Sequence, residues 1–242
     1  MLPTKTFLKR RFELFESDFD VDGKIKLNRF MQLMQNAATE HADKLGFGWD
    51  NLNSLGVLWV LSKVKIVFCS AITKDVAFVD VVTWPKAPDK FFANRLFEVY
   101  DDGGKHVASV LSVWAVIDKN ARKFVSADKL ADIYKADFDN AEIDVSPAFC
   151  RVRGGDDFVL AYSTAVRRSM LDINKHVNNT NDMTFAYDAT GGRYPAEAEI
   201  VYHKEIVGGS VDVYVKHDLA ANADDIVGYS DGALCFTVRF RY

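Results

Sequence analysis

The sequence predicts an α+β fold built twice, and three observations predict it. Near the N-terminus Leu27, Phe30, Met31, Met34, Ala37, Ala38, His41 and Leu45 recur at helical spacing, and four β-rich runs follow. After a stretch rich in Asp and Ala the same order returns: strand, polar turn, helix, further strands. Short segments of the two halves also align. Asp20-Val21-Asp22-Gly23-Lys24-Ile25 lies against Asp172-Ile173-Asn174-Lys175-His176-Val177, and the run Lys65 to Ile72 lies against Glu199 to Ile206. A long helix followed by an antiparallel meander is the pattern of a sheet that buries a helix.

Taken in order, Thr6 to Phe15 reads as a strand, and Asp18 to Gly23 as a turn leading into a helix over residues 25–45. Gly46 and Gly48 are placed to stop that helix. Strands are expected over 58–68, 77–84, 91–100 and 107–117. Asp101-Asp102-Gly103-Gly104 and Asp118-Lys119-Asn120 supply turns. Residues 126–157 read as a linker with a short helix around Asp128–Ala136, ending at Gly154-Gly155-Asp156-Asp157. The second half then offers a strand over 158–166, a helix over 177–189, and strands over 198–202, 211–217, 226–230 and 233–242. This gives an N-terminal unit, 1–125, a linker, 126–157, and a C-terminal unit, 158–242.

Composition narrows the function. A chain of 242 residues with 49% apolar and 26% charged residues is an ordinary globular protein, long enough for one large domain or two small ones. A net charge of −4 gives no electrostatic case for nucleic acid, although local basic clusters leave an acidic protein partner open. Cys69, Cys150 and Cys235 are far apart and form no CxxC pair. That argues against a disulfide framework or a zinc site and fits a reducing compartment. Met1 to Arg11 lacks the apolar core of a signal peptide, and no stretch reaches membrane-spanning length, so a cytoplasmic protein without a membrane span is expected.

The chemistry concentrates in Asp172-Ile173-Asn174-Lys175-His176-Val177-Asn178-Asn179, which offers a carboxylate, three carboxamides and an imidazole at a strand-to-helix junction. Such a cluster can project several groups into one pocket, and it can equally be an Asn-rich turn that caps a helix. The halves differ where chemistry would need them to. His176 aligns with Lys24, Asn174 with Asp22, and Glu205 with Ala71. The second copy is therefore expected to be catalytic. The first, with its longer helix and more continuous apolar stripe, is expected to form most of an apolar chamber.

These residues resemble a known family, the acyl-acyl carrier protein thioesterases, plant and bacterial enzymes with two fused hotdog folds. The pattern D-x-N-x-H-V-N-N is matched at every fixed position from Asp172 to Asn179. The run Val201 to Ile206 resembles the family's strand carrying a Glu, and Asn28-Arg29-Phe30 through Leu45-Gly46 resembles its first helix. The resemblance implies a tandem hotdog that hydrolyses fatty acyl-carrier thioesters to free acid and carrier, ending fatty acid synthesis, with no cofactor or metal. It leaves a homodimer open. Plant members usually carry a Cys after the Glu. Here the position is Ile206, so a Cys–His–Asn mechanism has no support. The plant transit peptide and hydrophobic N-terminal segment are also missing, which points to a bacterial enzyme.

Thioester hydrolysis needs a nucleophile or activated water, a donor for the developing oxyanion, and a place for the acyl chain. Glu205 or Asp172 could serve as base or nucleophile. The favoured arrangement is water activated by Glu205, with His176 and Asn174 positioning water and carbonyl and Asp172 ordering the cluster. A carboxylate that forms an anhydride is the covalent alternative. A backbone N–H near Asn178 or Asn179 could complete the oxyanion site. Leu33, Met34, Ala37, Trp59, Leu61 and Phe68 are candidates for lining the chamber, though each could be plain core. Arg167 and Arg168 are the first choice for meeting an acidic carrier, with Lys24, Lys26 and Arg29 next. His41, His106, His203 and His217 have no metal-ligand spacing and read as surface or packing residues. Gly228-Tyr229-Ser230-Asp231-Gly232 fits the G-x-S-x-G pattern, but a hairpin turn follows it and no acid–His pair lies downstream. A hotdog acyl-CoA thioesterase, a hotdog dehydratase or hydratase, and a non-catalytic acyl-binding module are the competing readings.

Overall fold

The computed structural model describes residues 6–125, 138 and 141–242, and the helix expected at Asp128–Ala136 lies outside them. The elements are β1 (Leu8–Glu13), α1 (Leu27–Lys44), α2 (Trp49–Ser54), β2 (Val57–Phe68), β3 (Phe78–Pro85), β4 (Phe92–Tyr100), β5 (His106–Asp118), β6 (Val159–Ala165), α3 (Asn179–Ala189), β7 (Glu197–Tyr202), β8 (Ser210–Asp218), β9 (Ala223–Ser230) and β10 (Ala233–Arg241). All ten strands join one antiparallel sheet in the order β1-β3-β4-β5-β2-β7-β10-β9-β8-β6. The halves meet where β2 pairs with β7, from Lys63 opposite Val201 to Val67 opposite Glu197.

The two central helices pack against each other, and one apolar core runs beneath both. Helix α1 forms because Leu27, Phe30, Met31, Leu33, Met34, Ala37, Ala38 and His41 share one buried face. Each large apolar side chain buried there stabilises by roughly 1.5–3 kcal/mol, far more than helix propensity supplies. The helix stops at Gly46, whose φ of +82° is left-handed and whose N–H turns back to the Asp43 carbonyl at 3.1 Å.

The repeat extends to individual hydrogen bonds. The Ile25 N–H donates to the Ile72 carbonyl at 2.9 Å, and the Val177 N–H donates to the Ile206 carbonyl at 2.7 Å. Likewise Lys26 N–H bonds the Asp18 carbonyl and Asn178 N–H the Met170 carbonyl, both at 2.9 Å. Each helix is entered through a short 3-10 turn, Glu16–Asp18 or Arg168–Met170.

Three local expectations are corrected. Helix α2 was not foreseen, because six residues between turn signals hold too little periodicity. It forms to bury Leu52. Helix α3 starts at Asn179 rather than Val177, because the Val177 N–H is committed to Ile206 and Asn178 takes the capping position. Glu205 is not on a strand. The N–H groups of His203 and Lys204 both turn to the Cys235 carbonyl, at 2.8 and 3.2 Å, so the ladder ends at Tyr202 and Glu205 lies in the loop beyond. Among the described residues no helix is long and apolar enough to cross a membrane.

Candidate active site

The loop before α3 is built by Asp172. Its Oδ1 accepts the N–H of Asn174 at 2.8 Å and of His176 at 3.1 Å, while its own N–H donates to the His176 carbonyl at 2.7 Å. Lys175 closes the turn at φ +65°. An Asp suits this position because its short carboxylate can take two successive turn N–H groups. Asn178 caps α3, its Oδ1 accepting the Thr180 N–H at 3.0 Å and the Thr180 hydroxyl at 2.8 Å. The Asn179 carbonyl accepts the Tyr202 hydroxyl at 3.1 Å. Since the Asn178 N–H is taken by Met170, the Asn179 N–H is the donor left open at the helix start.

This construction turns the His176 ring toward the loop after β7. Its Nδ1 lies 3.4 Å from Glu205 Oε1, and both side chains are partly exposed. The other Glu205 oxygen, Oε2, lies 3.7 Å from Arg122 Nη2, in the turn that follows β5. Sequence reading missed Arg122, because nothing in the letters links that turn to residues eighty positions later. Asn174 is exposed, and its carboxamide bonds no other described residue. The structure therefore brings His176 and Glu205 together, gives Asp172 a backbone role beneath them, and leaves Asn174 facing solvent.

A cavity of about 220 Å³ lies in the first half, walled by Ala38, Ala42, Phe47, Trp49, Trp59 and Trp114, with Asn94 and Arg95 also on it. A smaller space of about 20 Å³ shares Trp114 and is lined by Met34 and Leu61. Trp59 lines the cavity, and Met34 and Leu61 line the smaller space. Leu33 and Ala37 are wholly buried in the core and line neither space, and the Phe68 ring packs on Phe30 and Tyr194, with centroids 5.0 and 5.3 Å away. The acid lies toward the same end of β2 as Trp59: Arg122, which reaches Glu205, follows β5, whose Asp118 pairs with Val57 at the start of that strand. Chain direction carries residues 203–206 past β7 toward the Trp59 end of β2. The turn that holds Arg122 also sets Lys119 Nζ 5.4 Å from the Trp49 ring.

At the cavity wall, Arg95 Nη1 lies 3.1 Å from His41 Nδ1. A guanidinium only donates, so Nδ1 must accept and His41 is neutral with its proton on Nε2. Burial, with Arg95 and Lys44 adding to it, pulls the His41 pKa down to about 4. On α3, Asp182 is buried, and burial holds its carboxyl well above the usual range. Among the basic candidates, Arg167 and Arg168 are exposed. Arg29 is paired with Asp18 at 2.9 Å, Lys26 Nζ reaches the Ser17 carbonyl, and Lys24 lies over the Tyr194 ring. Ser230 sits on β9 and leads into a hairpin, with no nucleophile elbow. Among the described residues no cluster of His, Cys, Asp and Glu could hold a metal ion.

Residues 5–134, more than half of the chain, match the model of the acyl-ACP thioesterase N-terminal domain. The chain belongs to the acyl-ACP thioesterase family. It is accordingly a thioester hydrolase, and the match rests on the first half alone, apart from the Asp172–Asn179 motif. Solved structures agree over the whole length of this thioesterase. An acyl-ACP thioesterase from Bacteroides thetaiotaomicron superposes with a TM-score of 0.84 at 22% identity, covering 97% of each chain. The 12:0-ACP thioesterase from Umbellularia californica gives a TM-score of 0.82 at 16% identity, covering 97% of this chain and 96% of its own. At such identities the likeness establishes the tandem hotdog fold. No curated protein matches the sequence.

Proposed function

We propose that this thioesterase hydrolyses acyl-carrier thioesters at Glu205 and His176, the second unit, 158–242, being catalytic and the first, 1–125, housing the acyl chain. The observation that carries the reading is the 3.4 Å approach of His176 Nδ1 to Glu205 Oε1. Glu205 takes a proton from water as the oxygen attacks the thioester carbon. The oxyanion is met by the Asn179 N–H at the start of α3, and the C–S bond then breaks as the thiolate recovers the proton through His176. Asp172 acts through the loop it shapes, and Asn178 through the cap it forms. The three free thiols fit a cytoplasmic enzyme.

Single turnover in ¹⁸O-water tests the chemistry. Direct attack puts the label in the fatty acid, whereas label in the Glu205 or Asp172 carboxylate would establish an anhydride route. A panel of acyl-carrier and acyl-CoA substrates of graded length tests the substrate, with carrier thioesters preferred. Release of free thiol without interconversion of 2-enoyl and 3-hydroxyacyl thioesters separates hydrolysis from a dehydratase.

A further inference from the structure

The strand order puts four loops side by side at one end of the sheet. Strand β4 begins there, β5 ends there, β2 begins there and β7 ends there, since neighbours run antiparallel. Glu205 follows β7, Arg122 lies in the turn after β5, and Phe91 and Phe92 open β4. The first and last of these stations are three strand spacings apart, roughly 14 Å.

That end carries an apolar cluster facing solvent. Phe91, Phe92 and Phe124 are 44%, 41% and 58% exposed, and the Phe124 ring contacts the other two at centroid distances of 6.1 and 6.2 Å. Three phenyl rings gathered from two loops form a patch of the kind that marks an interaction site. Two lysines flank it in sequence, Lys90 before Phe91 and Lys123 before Phe124, while Arg122 is paired with Glu205 and Lys119 lies over Trp49. Lys90 and Lys123 make no ion pair among the described residues, and Asp89 offsets part of the charge. Lys86 is spent on Glu142 at 2.5 Å.

We propose that Phe91, Phe92 and Phe124, flanked by Lys90 and Lys123, form the docking surface for the acidic acyl carrier protein. The proposal rests on the catalytic reading above. Charge complementarity selects the occupant: a carrier with acidic helices meets the lysines, and its apolar face desolvates the phenylalanines. Arg122 lies between surface and acid, so a thioester arm leaving a docked carrier passes directly to Glu205. This moves the expected docking role away from Arg167 and Arg168, which precede the catalytic loop on the opposite half.

The test measures binding of labelled holo-carrier protein to the full chain, and hydrolysis of matched acyl-carrier and acyl-N-acetylcysteamine thioesters. Lys90→Glu/Lys123→Glu and, separately, Phe124→Ser should raise Kd and KM for the carrier by about tenfold or more, with the charge variant also flattening the salt dependence. Turnover of the small thioester should not change. Unaltered carrier binding in both variants would overturn the proposal, as would a carrier-specific loss from Arg167→Glu/Arg168→Glu alone. A Phe124→Ser chain that changes only its sedimentation behaviour would assign the patch to a second copy instead. Carrier binding by His176→Ala separates the two readings: a hydrolytically competent His176→Ala would sink the catalytic one and leave the docking result standing.

Discussion

The loops Asp20–Lys24 and Asp172–His176 are the same piece of architecture used for different ends. Asp20 Oδ1 accepts the N–H groups of Asp22 and Lys24, both at 2.9 Å, as Asp172 Oδ1 does those of Asn174 and His176. Gly23 and Lys175 hold matching left-handed positions at φ +71° and +65°. Around the first loop the space is filled. The Tyr187 hydroxyl donates to Asp20 Oδ2 at 3.0 Å, Lys24 Nζ lies 5.3 Å from the Tyr194 ring, and Tyr194 is packed against Phe68. The second loop instead faces an acid, Glu205. The fold supplies the turn twice, and the side chains load only one of them.

The largest expected effect breaks that second loop. His176→Ala or Glu205→Gln should lower kcat roughly 10²- to 10⁴-fold, the range for removing a general acid or base, while Lys24→Ala leaves kcat near wild type. Steady-state kinetics on one carrier thioester decides it. Next, the cavity should set chain length. Trp59→Ala should shift preference toward longer acyl chains, whereas Tyr194→Phe, in the packed surroundings of the first loop, should not move it, as read from a chain-length panel.

Smaller effects sharpen the comparison through pH. The fourth residue of α1 is Phe30, and the fourth of α3 is Asp182. Because Asp182 keeps its proton when folded while the unfolded chain ionises near its ordinary 3.8, its contribution to stability falls as pH rises above that value. Asp182→Asn should remove this loss and raise Tm at pH 8 by about 2–4 °C, with no gain at pH 3. His41 runs the other way. With a folded pKa of about 4 against an ordinary 6.5, it disfavours folding progressively as pH falls from 6.5 toward 4. His41→Gln should flatten that acid limb in thermal melts.

Much of this was legible in the letters because it is local. Helix α1 announces itself by spacing, the strands by their runs, and the paired loops by Asp20 and Asp172 standing at equivalent places. The alignment of Glu205 with Ala71 holds to the level of the neighbouring Ile206 and Ile72 hydrogen bonds. What stayed hidden depends on tertiary geometry. The shared carbonyl of Cys235 ends β7 early, Arg122 reaches Glu205 from a turn far away in sequence, and Leu33 and Ala37 face the core rather than the cavity. Helical periodicity gives a buried face but does not say which part of that face borders a void.

The most direct measurement sets Asp20→Ala beside Asp172→Ala, since the two carboxylates hold their loops through the same pair of backbone hydrogen bonds. Both variants should lose stability in denaturant melts, Asp20→Ala the more because it also strands the Tyr187 hydroxyl, and only Asp172→Ala should lose kcat. Equal loss of kcat in the two, or a loss confined to Asp20→Ala, would contradict a single loaded loop.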